Sequence, residues 1–162
     1  MNNAQDIWNI LVKSHMAYSM AARNFLTGDI DRVSILRRAL HDHGPDLSTA
    51  FHLLQSIKVD ELQQLFPELI FWASYSHGAV VSIRNAVKRL PKEWVISHIE
   101  EIAEPLLTNG TYDEYRCLLE LYINLDIELT KRLARRAIQS TDPDIREAGE
   151  DYLIKCGLVE DG

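Results

Sequence analysis

Three times along this chain an arginine follows a large apolar residue at nearly constant spacing. The pairs are Ile83-Arg84, Tyr115-Arg116 and Ile145-Arg146, separated by steps of 32 and 30 residues. Each pair falls near the start of a segment with helical apolar spacing. Self-similarity at a fixed period of this size marks a helical solenoid, in which each unit buries its apolar face only against its neighbours. Such folds present surfaces more often than reaction centres.

The register extends beyond the dipeptide. With Leu47, Ile83, Tyr115 and Ile145 as position zero, position three holds Ala50, Ala86, Leu118 and Ala148. Position four holds Phe51, Val87, Leu119 and Gly149, and position seven holds Leu54, Leu90, Tyr122 and Tyr152. A 0, 3, 4, 7 stripe is one face of a helix. Small residues at position three allow a neighbouring helix to come close. Amphipathic helices in a bundle that does not repeat would give the stripe, but not its recurrence in register.

No segment alternates with period two, so every element is expected to be helical. Helices are predicted at about 4–27, 30–42, 46–57, 59–74, 77–90, 92–107, 112–124, 126–139 and 142–156. Gly28 ends the first and Asp29 caps the second; His43-Gly44-Pro45 and Thr108-Asn109-Gly110 are breaks; Pro91 fits a first turn. Ile7, Trp8, Leu11, Met16, Tyr18, Met20 and Phe25 are the apolar contribution of the first helix. Connections of a few residues make neighbours antiparallel. The expected fold is all-α, a right-handed α-solenoid of about four to five stacked antiparallel helix pairs. It forms a single domain, with 1–45 as N-terminal capping helices, 46–157 as repeats and 158–162 as a frayed tail.

These residues resemble the HEAT-repeat family over about 46–157. The best match is Ser140-Thr141-Asp142-Pro143-Asp144-Ile145-Arg146-Glu147-Ala148, similar to a HEAT turn and second-helix start. Prolines in Phe66-Pro67-Glu68-Leu69 and Glu104-Pro105-Leu106-Leu107 fit first helices of that family. The resemblance implies a ladder between repeats made by turn aspartates and second-helix arginines. Asp113 with Arg116 and Asp142 with Arg146 match it. Arg84 has no aspartate just upstream, and the first unit carries Ser48 where arginine is expected. Arg84, Arg116, Asp142 and Arg146 are therefore read as structural ties.

Charge narrows the partner. The net charge is −7, and it is unevenly placed: residues 1–57 hold five basic and five acidic side chains, 58–162 hold twelve and nineteen. That field disfavours phosphate backbones and anionic lipid and favours a basic protein. Two cationic groups, Arg84, Lys88, Arg89 and Lys92 and then Lys131, Arg132, Arg135 and Arg136, read more simply as solvated faces, with Glu128 pairing Arg132 at i, i+4. A nucleic-acid-binding repeat protein is the third reading.

The enzymatic alternative rests on His15, His41 and Asp42. A histidine followed by a His-Asp dipeptide resembles, over 15–44, the HD superfamily of metal-dependent phosphohydrolases. The resemblance implies a divalent metal that activates water, with Asp113 or Asp126 completing the ligands. The simpler reading of His41, Asp42 and His43 is a polar helix end, where histidine is favoured. His52 sits mid-helix and His98 stands three residues before Glu101; single histidines like these read as surface or satisfied interior groups, and His77-Gly78 belongs to the turn into the fifth helix. No zinc cysteine pairing, glycine-rich phosphate loop or nucleophile elbow is present. Cys117 and Cys156 read as reduced, buried hydrophobes. Met1–Asp6 lacks a basic segment and no apolar core follows, so no signal peptide is expected and cytoplasm is the default.

The expected function is a nonenzymatic protein-binding module, an adaptor, scaffold or immunity-type inhibitor, with no cofactor and no membrane partner. Arg84, Lys88, Asp113, Glu114 and Glu120, on the surface of the second helices, are the expected contacts. Solenoid ends can also stack, which leaves a homo-oligomer open.

Overall fold

The computed structural model describes residues 3–157. The tail at 158–162 lies outside the described residues. Ten α-helices, joined by short connections, account for the regular structure, and no strand occurs among the described residues. Among them no helix is long and apolar enough to cross a membrane. The chain divides into two compact units, residues 1–57 and 58–162. The division falls where the acidic excess begins.

The first unit holds α1 (Ala4–Thr27), α2 (Arg32–Leu40) and α3 (Pro45–Leu53), followed by one 3-10 turn at Leu54–Ser56. The cap of α2 is Asp31 rather than Asp29. Its carboxylate accepts from the Ser34 amide at 3.0 Å and the Ser34 hydroxyl at 2.6 Å, satisfying an orphan donor of the first turn. Gly44, at φ 65°, takes a left-handed turn that places Pro45 at the head of α3. Leu36, Leu40, Ala50 and Leu53 are buried, but no residue of α1 is.

The second unit holds α4 (Val59–Gln64), α5 (Phe66–Ala73), α6 (Val80–Lys88), α7 (Lys92–Thr108), α8 (Tyr112–Tyr122), α9 (Ile127–Ala137) and α10 (Pro143–Lys155). The single helix expected at 59–74 is divided at Leu65. Pro67 has no amide proton and its ring crowds the carbonyl four residues back, so α4 stops and α5 restarts with the proline in its first turn. The start of α6 is later than the spacing suggests, because His77 organises the turn. Its Nε2 meets the Trp72 carbonyl oxygen at 2.8 Å and its Nδ1 accepts from the Ala79 amide at 3.3 Å.

Helices α8, α9 and α10 each start on a side-chain cap. Thr111 and Glu114 form a capping box on α8, Asp126 accepts from the Leu129 amide, and Asp142 accepts from the amides of Asp144 and Ile145. The twelve residues at positions zero, three, four and seven of the last three sets are all buried, Leu90 lying just past the end of α6; in the first set Ala50 and Leu54 are buried, but Leu47 and Phe51 are only half-buried. Neighbouring helices pack together, α5 on α6, α7 on α8, α9 on α10, and α8 also packs on α10. At the α9–α10 crossing, Gly149 brings the backbones so close that a Cβ there would lie 2.8 Å from the Ala134 carbonyl oxygen.

Candidate functional site

Helices α6, α8 and α10 carry a row of alternating charge. Arg84 of α6 reaches α8 twice: its Nη1 lies 2.8 Å from Glu120 Oε2 and its Nη2 donates to the Cys117 carbonyl at 3.2 Å. The other oxygen of Glu120 is 3.5 Å from Arg116 Nε, and Arg116 Nη1 is 3.5 Å from Asp151 on α10. The Arg116 guanidinium and the Lys155 ammonium both approach the buried Tyr152 ring, at 5.7 and 4.1 Å. Burial, with Glu120 nearby, pushes the Tyr152 hydroxyl above its ordinary pKa.

Beside this row a cleft of 220 Å³ opens between α8 and α10. Tyr112 and Arg116 line one wall; Asp144, Glu147 and Asp151 line the other. The three carboxylates stand at 0, 3 and 7 on one face of α10, so like charges are neighbours at i, i+3 and i, i+4. That arrangement costs an isolated helix a few tenths of a kcal/mol per pair. One guanidinium faces three carboxylates, which leaves the cleft electronegative. It suits an ammonium or guanidinium group, with the half-open Tyr112 ring available for a cation–π contact.

The sequence-derived contact residues separate into two sets. Lys88 and Asp113 are exposed. Arg84, Glu114 and Glu120 already act within the chain. The Glu114 carboxylate accepts from the Thr111 amide at 2.7 Å and hydroxyl at 2.6 Å, and from the Tyr75 hydroxyl. Burial alone would raise its pKa, but these hydrogen bonds outweigh it and hold the carboxyl below its ordinary range. Among the ladder residues, Arg84 and Arg116 tie one helix to the next but one. Asp142 serves as the cap of α10, and Arg146 donates to the Ser140 and Thr141 carbonyls of its own turn, at 2.9 Å each.

The α9 cations are drawn into ion pairs. Arg132 makes a two-pronged bond to Glu100 on α7 at 2.9 Å for each contact, and Arg136 pairs with Glu104. Lys131, rather than Arg132, pairs with Glu128, at 2.7 Å. The expected i, i+4 pair loses because a planar carboxylate on α7 offers Arg132 both oxygens at once. Arg135 remains exposed.

His15 lies on the exposed surface of α1, His41 ends α2, and Asp42 accepts from the His43 amide. Among the described residues no three His, Cys, Asp or Glu side chains gather as a metal-binding group. Cys117 is buried, and that burial pushes its thiol pKa up, away from thiolate chemistry at neutral pH. Sequence reading passed over Tyr112, Asp144, Glu147 and Asp151. The signal for the carboxylates was their 0, 3, 7 spacing.

No family model, curated protein or solved structure matches this chain.

Proposed function

We propose that the protein is a nonenzymatic binding module, an adaptor, scaffold or immunity-type inhibitor, that takes a basic segment of another protein into the cleft between α8 and α10. The observation that carries this reading is the set of Asp144, Glu147 and Asp151 on one helix face opposite a single arginine. Complementary charge of this kind speeds encounter and selects the partner's sign. Two buried free cysteines, Cys117 and Cys156, suit a protein of the reducing cytoplasm.

The architecture we infer beneath this surface is a HEAT-like, right-handed α-solenoid, with α5–α6, α7–α8 and α9–α10 as stacked antiparallel pairs. Support comes from the offsets of the cross-links. Glu100 to Arg132 and Glu104 to Arg136 each span 32 residues, and Arg84 to Cys117 spans 33. These match the 32- and 30-residue steps of the recurring dipeptide. On the other layer the ion pairs Arg84 to Glu120 and Arg116 to Asp151 span 36 and 35, so both layers carry cross-links at intervals near the repeat length, which supports stacked units.

The test uses synthetic peptides carrying Lys and Arg clusters, with charge-neutral versions as controls, titrated against the full chain and against the Asp144→Asn, Glu147→Gln variant. Basic peptides should bind with an affinity that falls as salt rises. The variant, with unchanged helicity, should lose about tenfold, or ~1.4 kcal/mol. Equal binding by the variant, or no preference for the basic peptides, would sink the cleft.

A further inference from the structure

Helix α1 exposes large apolar side chains to solvent. Trp8 and Leu11 are each 59% exposed and Ile7 58%, and none of the 24 residues is buried. A helix with so much apolar surface is ordinarily covered. Its residues fall on a seven-residue repeat: Ala4, Leu11, Tyr18 and Phe25 stand seven apart, with Ile7, Ser14 and Ala21 three places after them. That is the seam of a helix meant to lie along another helix.

The seam is self-complementary in one direction. Turned end over end about a point between Ser14 and His15, Trp8 comes opposite Ala21, Ile7 opposite Ala22, Ala4 opposite Phe25 and Leu11 opposite Tyr18. Three of these four layers match a large residue with a small one, and Asp6 comes opposite Arg23. A parallel pairing instead sets Trp8 on Trp8, Asp6 on Asp6 and Arg23 on Arg23. The C-terminal half of α1 also forms one wall of a 330 Å³ groove, with Tyr18, Ala22 and Phe25 on one side and Leu36, Ala39 and Leu53 of α2 and α3 on the other. An antiparallel partner would carry its Trp8 to that groove.

We propose that a second copy of this chain occupies the α1 seam, each copy laying Ile7, Trp8 and Leu11 along the C-terminal half of the other's α1 and over its groove. The contact is isologous: what residue i does to j, j does to i. On the seam Ile7, Trp8, Leu11 and Tyr18 leave roughly 450 Å² open per copy, so two copies can cover up to roughly 900 Å², the size of a weak, reversible contact before Phe25 and the groove walls are added. Charge favours this occupant over a strongly charged protein or a membrane. Residues 1–57 carry as many cations as anions, so two copies of this unit meet without net repulsion. With Lys13 and Arg23 as its cations, α1 has no polybasic face to draw anionic lipid. The dimer stands independently of the acidic cleft, which lies in the other unit.

Sedimentation equilibrium on the full chain should give twice 18.6 kDa. Trp8→Ala should raise the dimer dissociation constant at least tenfold while the chain keeps its cooperative urea transition. Direction is read by cross-linking. Ile7→Cys and Ala22→Cys chains, mixed and oxidised, should join to each other and not to themselves. A monomer at every concentration, an assembly larger than two, a dimer indifferent to Trp8→Ala, or self-linking of Ile7→Cys chains would each overturn the proposal.

Discussion

Gly149 offers the sharpest test of how closely α9 and α10 must approach. A Cβ at this position would lie 2.8 Å from the Ala134 carbonyl oxygen, 2.9 Å from Ala137 Cβ and 2.9 Å from Ile138 Cγ2. The first is backbone and the second is a methyl with no rotamer to escape into, so α10 must move off α9 rather than a side chain turn away. Helix propensity works the other way, favouring alanine by about 1 kcal/mol. Overpacking costs about 1–3 kcal/mol. Gly149→Ala should therefore destabilise by about 0–2 kcal/mol despite putting a better helix former in a helix interior. The internal control is Gly78→Ala, where nothing lies within 4 Å and φ is not left-handed. There the unfolded chain loses freedom and the fold loses nothing, so stability should rise by about 0.4–1 kcal/mol. Urea denaturation followed by circular dichroism, with tryptophan fluorescence checking for a single transition, should separate the two variants by roughly 0.4–3 kcal/mol. A Gly149→Ala protein as stable as Gly78→Ala would refute the argument that backbone contact sets the helix spacing.

Tyr122 is almost fully buried, and its hydroxyl has no hydrogen-bond partner among the described residues, while burial holds its pKa well above the ordinary value. Tyr122→Phe removes a desolvated donor without making a void, so it should be neutral or stabilising by up to about 1 kcal/mol; a loss above 1 kcal/mol in the same urea assay would mean that the hydroxyl is satisfied in solution. Glu104, through its hydrogen bond to Arg136, and Glu114, where hydrogen bonds overcome burial, both have lowered pKa values in the fold. Their contribution is present above the ordinary carboxyl value of 4.5 and is lost as pH falls through the lower folded values. Stability measured between pH 6 and roughly pH 3 should fall on the acid side, and the Glu104→Gln, Glu114→Gln double variant should flatten that slope. An unchanged slope would remove both groups from the account.

The core of the second unit was legible because it rests on period alone. Of the sixteen residues in the 0, 3, 4, 7 stripe, the twelve that fall in this unit are all buried, whereas Leu47 and Phe51 of the first unit are only half-buried. Boundaries were less legible where one residue decides them. Pro67 divides a segment whose apolar spacing runs straight through it, and Asp31 outcompetes Asp29 only because Ser34 supplies both an amide and a hydroxyl. The apolar residues of α1 were equally plain in the sequence, but only the structure shows that its own chain leaves them exposed. The carboxylates of the cleft were in view as well. Their spacing placed them on one face of α10; only the packing of α8 on α10 places Tyr112 and Arg116 across from them.

The charged residues show why local counting fails at such a surface. Within one helix, Glu128 and Arg132 are the natural partners at i, i+4, a pair worth about 0.3–0.5 kcal/mol when exposed. The fold offers Arg132 a carboxylate 32 residues earlier, in bidentate geometry, and that arrangement prevails. Arg136 likewise pairs with Glu104, 32 residues earlier, and Arg84 with Glu120, 36 residues later. Exposed pairs of this kind add little to stability, so their worth lies elsewhere: each is correct in only one register of helix on helix. A slip of α9 along α7 by one turn would bring Arg132 toward Glu104 and leave Arg136 with no carboxylate from that row. The cross-links therefore discriminate between registers more than they strengthen any one, and the acidic cleft depends on that discrimination. Its opposing walls come from α8 and α10, which face each other correctly only when the helices between and beside them are in register.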